Sequence, residues 1–97
     1  MNFEEKLKND PYNPNLHREY GLWLLDENRV DEAVEIFSKG LVYNPFDSLM
    51  RFWRGRKYIG REMYTQSASD LKLAAMINPE DWECWYYLGV ASYLSGM

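Results

Sequence analysis

The apolar residues of this chain recur in a fixed register, with polar and loop-forming residues separating the apolar segments. Phe3, Phe37 and Leu71 stand at one repeated interval and mark equivalent positions in three successive segments. Between the loop-forming residues the segments are long enough for helices of three to four turns. We therefore expect helices at residues 2–9, 15–27, 31–43, 48–61, 65–77 and 82–95.

Prolines and glycines fix the length of the repeat. Prolines stand at positions 11, 45 and 79, and 45 − 11 and 79 − 45 both equal 34. Gly21, Gly55 and Gly89 have the same spacing, and each follows a proline by ten residues. Asp47 or Ser48 and Asp81 are suited to N-cap the helices that begin beside them. A phased set of this kind predicts a helical repeat protein.

In this register the chain resembles the tetratricopeptide repeat family, whose 34-residue unit reads Trp-x2-Leu-Gly-x2-Tyr, then Ala-x3-Phe, then Pro. The matching segments are Trp85-x2-Leu88-Gly89; Gly21-x2-Leu24, Ala33-x3-Phe37 and Pro45; and Gly55-x2-Tyr58, Ser67-x3-Leu71, Ala74 and Pro79. The resemblance implies an all-α solenoid of antiparallel helical hairpins. It contains about two full repeats, a partial helix before them and a terminal helix after them.

The resemblance also divides the chain, taken as a single domain over residues 1–97. The expected parts are the second helix of an incomplete repeat (1–13), repeat 1 (14–47), repeat 2 (48–81), and the first helix of a third repeat or a cap (82–97). An excised piece of a longer array and a natural minimal array both fit this division.

Composition narrows the class of protein. At 97 residues, with 46% hydrophobic and 27% charged residues, the chain is expected to fold as a small globular domain. Its net charge of −4 opposes binding to phosphate backbones, so we expect no nucleic-acid partner. Cys84 is the only cysteine, which excludes an intramolecular disulfide and favours a reducing, cytoplasmic location.

Neither a secretion signal nor a membrane span is expected in the supplied sequence. The first residues include Glu4 and Glu5, where a signal peptide would be basic and then apolar. The longest nearly apolar segment, 85–94, is about half of the ~20 residues that a membrane-spanning helix needs. We expect no membrane insertion of this chain.

The sequence offers few candidates for catalytic residues. His17 is the only histidine, and the sequence contains no HExxH, GxSxG, CxxC or phosphate-binding glycine loop. His17 occupies the column of Trp85, which indicates helix packing and not proton transfer, and Cys84 reads as a small packed residue. We therefore expect no enzyme activity, no cofactor and no metal.

The segment 51–61 is basic and aromatic, but a helix disperses its charges. Arg54, Lys57 and Arg61 fall on one side and Arg56 falls on another with Phe52 and Ile59, so no single basic stripe forms. Arg54 occupies a column that faces the second helix of its own repeat. A charge at such a position requires a partner, and we predict that Arg54 pairs with Asp70.

The family resemblance implies a concave groove along the first helices of successive repeats. The proposed groove residues are Arg18, Leu22, Leu25, Phe52, Arg56, Ile59, Tyr86, Val90 and Tyr93. The columns used by chaperone-binding members for a carboxylate clamp hold Leu22, Trp53, Glu83 and Tyr87 here, which excludes that ligand. The remaining surface suits a peptide or helix with apolar anchors and a carboxylate.

The terminal helix offers an alternative role. From Trp82 to Ser95 the only charged residue is Glu83, so the helix has no polar face and something must cover it. The strip expected to remain apolar contains Trp85, Leu88 and Ser92. The sequence thus predicts a protein-binding adaptor or scaffold, with homodimerisation through the terminal helix as the alternative function.

Overall fold

The computed structural model describes residues 2–96 and is helical, with no strand in that range, which confirms the all-α class. The helices are α1 (Phe3–Asn9), α2 (Pro14–Asp26), α3 (Val30–Tyr43), α4 (Ser48–Gly60), α5 (Tyr64–Ile77) and α6 (Trp82–Ser95). Each of the six predicted helices is present, with boundaries within one residue of those expected.

Side-chain caps explain where several of the helices begin. Asp47 accepts a hydrogen bond from the backbone N–H of Met50, and Asp81 accepts one from the N–H of Glu83. Asp81 was predicted as a cap, and Asp47 was one of the two candidates for α4. Asn2 caps α1 and Asn13 caps α2 in the same way, although the sequence analysis did not single them out.

The chain divides into two compact units, Met1–Pro45 and Phe46–Met97. In the first unit α2 and α3 form an antiparallel hairpin, and α1 packs on α2. Phe37 and Leu24 lie at the centre of the hairpin and are fully buried. A Cβ added to Gly21 would overlap the ring of Phe37, so the helices can approach this closely only because residue 21 has no side chain.

The second unit consists of the α4–α5 hairpin and of α6, which packs on α5. Its hairpin crosses at Gly55, where an added Cβ would lie 2.6 Å from Cγ of Leu71. Ser67 donates a 2.7 Å hydrogen bond to the carbonyl oxygen of Gly55 at this crossing. The core is formed by buried residues of all three helices, namely Phe52, Leu71, Ala74, Ala75, Cys84 and Ala91.

The turns inside the two hairpins share one backbone feature. Asn28 has φ of 62° and Glu62 has φ of 60°, both in the left-handed region. Asparagine tolerates this conformation well, whereas glutamate adopts it at a cost in free energy. Glu62 therefore keeps this conformation because the helices on either side of the turn fix the backbone there.

The terminal helix α6 is covered on one side. Cys84 and Ala91 are buried against the rest of the second unit, whereas Trp82, Tyr86 and Tyr93 are more than half exposed. None of the helices between residues 2 and 96 is long and apolar enough to cross a membrane.

Candidate functional site

A buried carboxylate joins the two helices of the α4–α5 hairpin. Arg54 donates from Nε to Oδ2 of Asp70 at 2.7 Å and from Nη2 to Oδ1 at 2.8 Å. These are the two residues expected to pair from the repeat register. The Asp70 side chain is only 3% exposed, and burying a polar group at such a position costs free energy unless it is hydrogen-bonded.

A second arginine completes this cluster. Arg51 donates to Oδ1 of Asp70 at 2.9 Å, so one carboxylate serves two guanidinium groups. The sequence analysis placed Arg51 only within a basic segment. The spacing of three residues between Arg51 and Arg54 was the signal that both lie on one helix face. The hydrogen bonds that Arg54 donates to Asp70 raise the pKa of Arg54, which favours the charged guanidinium.

A cleft of about 380 Å³ opens on another side of the second unit, where α4 faces the beginning of α6. We call it the α4–α6 cleft, and its lining residues are Ser48, Leu49, Phe52, Trp53, Arg56, Asn78, Asp81 and Glu83. Apolar rings thus form part of the wall, with one basic and two acidic residues beside them. Phe52 and Arg56 were both predicted to line a binding surface.

Arg56 is held among aromatic rings. Its guanidinium carbon lies 4.5 Å from the ring centre of Tyr87, 4.9 Å from that of Trp53 and 5.6 Å from that of Phe52. Contacts of this kind orient a guanidinium and hold it at an apolar surface. Trp53 and Tyr87 were not identified as partners of Arg56. Trp53 lies three residues before Arg56 on α4, so helix spacing was a signal for this contact, whereas Tyr87 comes from α6 and its contact depends on packing.

The other proposed groove residues are distributed as follows. Arg18, Leu22 and Leu25 lie on α2 in the first unit, and Arg18 donates a 3.4 Å hydrogen bond to Asn15. Tyr86 and Tyr93 are exposed on α6, and Val90 is partly buried there. Phe52 is buried in the core of the second unit and Ile59 packs against that core, so neither offers a freely exposed side chain.

The proposed self-association strip is less uniform than expected. Trp85 is 47% exposed and donates from Nε1 to the carbonyl oxygen of Pro79 at 2.9 Å. Ser92 is exposed as well. Leu88 differs from the expectation, because it packs against the core of the second unit and is partly buried. The exposed apolar surface of α6 therefore depends on its aromatic residues and not on Leu88.

His17 occupies a packing position. It is 4% exposed, its Nδ1 lies 2.7 Å from the carbonyl oxygen of Asn13, and its ring centre lies 5.9 Å from that of Tyr43. These contacts position the imidazole as a link between the beginning of α2 and the end of α3. Among residues 2–96 there is no group of three or more metal-binding side chains.

Cys84 is buried, and its pKa is raised from an ordinary value near 9 to about 11 by burial and by the nearby Asp81 carboxylate. We predict that the folded protein resists thiol alkylation at neutral pH. Because the unfolded thiol loses its proton first, stability should fall as pH rises from about 9 to about 11. Comparing unfolding free energies of the parent and Cys84→Ala across this window isolates the effect from tyrosine titration. Equal pH slopes in both would contradict it.

The sequence matches no protein-family model, and no curated protein matches it significantly. Evidence about function therefore comes from the side chains of this chain and their arrangement.

Proposed function

We propose that this chain is a tetratricopeptide-like protein-interaction module without catalytic chemistry, and that it binds a segment of a partner protein in the α4–α6 cleft. The observation that carries the proposal is the cleft itself, where aromatic rings and an oriented arginine stand beside two carboxylates. A small number of well-placed polar groups on an apolar surface is typical of binding sites.

The helical hairpins support the family interpretation. Gly21 and Gly55 both stand where a side chain would collide with the second helix of the hairpin, and their contacts, Phe37 and Leu71, also share one column of the repeat. Small residues at a repeated helix crossing are what the 34-residue pattern requires. Proteins built from such hairpins commonly present preformed surfaces to other proteins.

The cleft favours a particular ligand chemistry. Arg56 provides a guanidinium for a carboxylate, and Leu49 and Trp53 provide apolar surface for an aliphatic or aromatic side chain. Asp81 and Glu83 lie on the α6 side of the cleft and repel acidic residues there. The best ligand is therefore a peptide with one apolar anchor and one carboxylate, placed so that the carboxylate meets Arg56.

Selection from a randomised peptide library displayed on phage tests this proposal. Peptides enriched on the parent chain should carry an apolar anchor with an aspartate, a glutamate or a free carboxyl terminus. Arg56→Glu should weaken their binding by at least about tenfold, because it replaces an attractive charge with a repulsive one. Isothermal titration with the synthesised peptides measures the change.

Arg61→Glu is the matched control, since Arg61 is an exposed arginine at the end of the same helix and does not line the cleft. It should leave binding within about twofold of the parent, as expected for a surface charge outside the contact. Enriched peptides that bind the two variants equally well would refute the assignment of the cleft.

Self-association through the terminal helix is the second candidate function. It is favoured by the aromatic residues that α6 leaves exposed, with Trp82 and Tyr93 each 69% exposed and Trp85 and Tyr86 close to half. Exposed aromatic side chains grouped on one helix are common at contacts between proteins.

A further inference from the structure

The three glycines of the repeat differ in what lies above them. Gly21 and Gly55 are covered by Phe37 and Leu71, whereas an added Cβ on Gly89 would meet no atom of the described chain within 4 Å. The face of α6 at Gly89 therefore resembles the helix faces at Gly21 and Gly55, but within residues 2–96 no second helix covers it. The same kind of helix–helix contact is formed twice elsewhere in the protein, at Gly21 and at Gly55.

One other residue in the chain occupies the column of Phe37 and Leu71. It is Phe3, on α1, in a register of 34 residues. Phe3 stacks on Tyr20 of α2 with ring centres 5.1 Å apart, and it remains partly exposed. Leu71, by comparison, belongs to a core that joins the helix before it and the helix after it. Thus α1 is packed on the following helix, as α5 is on α6, but within residues 2–96 no helix precedes it as α4 precedes α5.

Charges on the two surfaces are complementary. Lys6 and Lys8 lie in the last turn of α1, and Glu80, Asp81 and Glu83 lie at the beginning of α6. In the first unit the end of α3 lies beside the beginning of α2, as the contacts of Tyr43 with His17 and Tyr12 show. Placed in the same way on α6, the end of α1 would bring its lysines close to these carboxylates.

This complementarity is absent from the crossings inside the chain. The residues of α5 in the columns of Lys6 and Lys8 are Ala74 and Met76, both uncharged. The ion pairs would therefore distinguish α1 from the other helices as a partner for α6. The side chain of Lys6 lies over the ring of Phe3, 5.3 Å from its centre, and being long and flexible it can move aside.

The surface around α1 has room for an incoming aromatic residue. A cavity of about 390 Å³ opens between α1 and α2, lined by Asn2, Phe3, Glu4, Lys6, Tyr20 and Trp23. An indole or phenol ring from another molecule would stack there on rings already in place. The exposed aromatic residues of α6 are of the type that this cavity accepts.

We propose that copies of this chain associate head to tail, with α1 of one copy packing on the Gly89 face of α6 in the next, and with Phe3 placed over Gly89. The contact forms one composite hairpin from two molecules. It goes beyond the proposed peptide binding, because neither Gly89 nor Glu80 lines the α4–α6 cleft, although Asp81 and Glu83 border both surfaces. A contact between two different surfaces joins copies into closed rings or open chains.

Sedimentation velocity of the 97-residue chain over a range of concentrations tests the proposal. We expect species larger than a dimer at high concentration and a shift towards monomer as salt is added. Gly89→Leu should lower the association constant at least about tenfold, because the new side chain occupies the place of Phe3. Gly60→Leu is the control, since Gly60 is also helical and also has no atom within 4 Å of an added Cβ.

A charge exchange distinguishes this contact from a twofold contact between two terminal helices, which would not involve Lys8. Lys8→Glu and Glu80→Lys should each weaken association when present alone. An equimolar mixture of the two variants should restore association, because copies of the two variants that alternate join opposite charges at every contact. Circular dichroism of each variant confirms that the helices are intact.

Three outcomes would overturn the proposal. In the first, the chain is monomeric at every concentration. In the second, it forms only a dimer, and the change at Lys8 does not weaken that dimer. In the third, Gly60→Leu weakens association as strongly as Gly89→Leu. The first result would leave the Gly89 face to an occupant other than a second copy. The second would indicate a twofold contact between terminal helices. None of these results depends on whether Arg56 binds a peptide.

Discussion

Arg54→Ala is expected to lower the free energy of unfolding by about 3 kcal/mol, at the lower end of the range of about 3 to 5 kcal/mol for breaking a buried ion pair. The reason is that Asp70 remains buried after Arg54 has gone. Arg51 still donates to Asp70, which keeps the loss below the upper limit of that range. Urea unfolding of the parent and the variant, followed by circular dichroism, measures the difference.

Lys57→Ala provides the comparison. Lys57 lies on the same helix as Arg54, and both substitutions remove one positive charge. Truncating a partly exposed lysine outside the Asp70 cluster should cost no more than about 1 kcal/mol, since charge contacts near the surface contribute about 0 to 1 kcal/mol. Arg51→Ala should fall between the two, since Arg51 makes one of the three hydrogen bonds to Asp70 and Arg54 makes two. Equal losses for Arg54→Ala and Lys57→Ala would show that the Asp70 cluster does not stabilise the hairpin.

The second large effect is that replacing glycine with alanine should change stability in opposite directions at two equivalent positions of the repeat. Gly55→Ala should destabilise the protein by about 1 to 3 kcal/mol, because the added methyl group overlaps Leu71 at the helix crossing. Gly89→Ala should instead stabilise it by about 0.5 to 1 kcal/mol, since alanine is the better helix former and nothing within 4 Å opposes its Cβ. Thermal unfolding at a low protein concentration compares the two variants.

Both glycines lie inside helices of the second unit, so helix propensity alone predicts the same gain at each position. The difference between the two measurements therefore reports the crossing with Leu71. A stabilising Gly55→Ala would mean that α4 and α5 can separate without cost, and would contradict the close packing described for this hairpin.

The sequence predicted the structure best at positions where the residue type has a single structural explanation. The spacing of prolines and glycines predicted the six helices and their boundaries. Proline interrupts a helix because it has no backbone N–H, and glycine permits close helix packing because it has no side chain. The pairing of Arg54 with Asp70 could be predicted for a similar reason. A charge in a column that faces another helix needs a partner, and the second helix of the repeat offered an aspartate in reach.

The sequence was less informative where several helices meet. The contact of Arg56 with Tyr87 depends on how α4 and α6 pack, and neither helix alone indicates it, whereas Trp53 is three residues from Arg56 on α4. The burial of Leu88 has the same origin, since its contacts come from the core of the whole unit. Helix periodicity identifies which residues share a face, but it does not identify which face is covered.

The packing of consecutive helices has a consequence for how the chain folds. The strongest contacts join α2 to α3, α4 to α5 and α5 to α6, and only short turns separate these pairs along the chain. Closing so short a loop costs little chain entropy, so each hairpin can form before distant residues have met. Topologies dominated by such local contacts reach the native state in microseconds to milliseconds, and they spend little time with their apolar helices exposed to other chains.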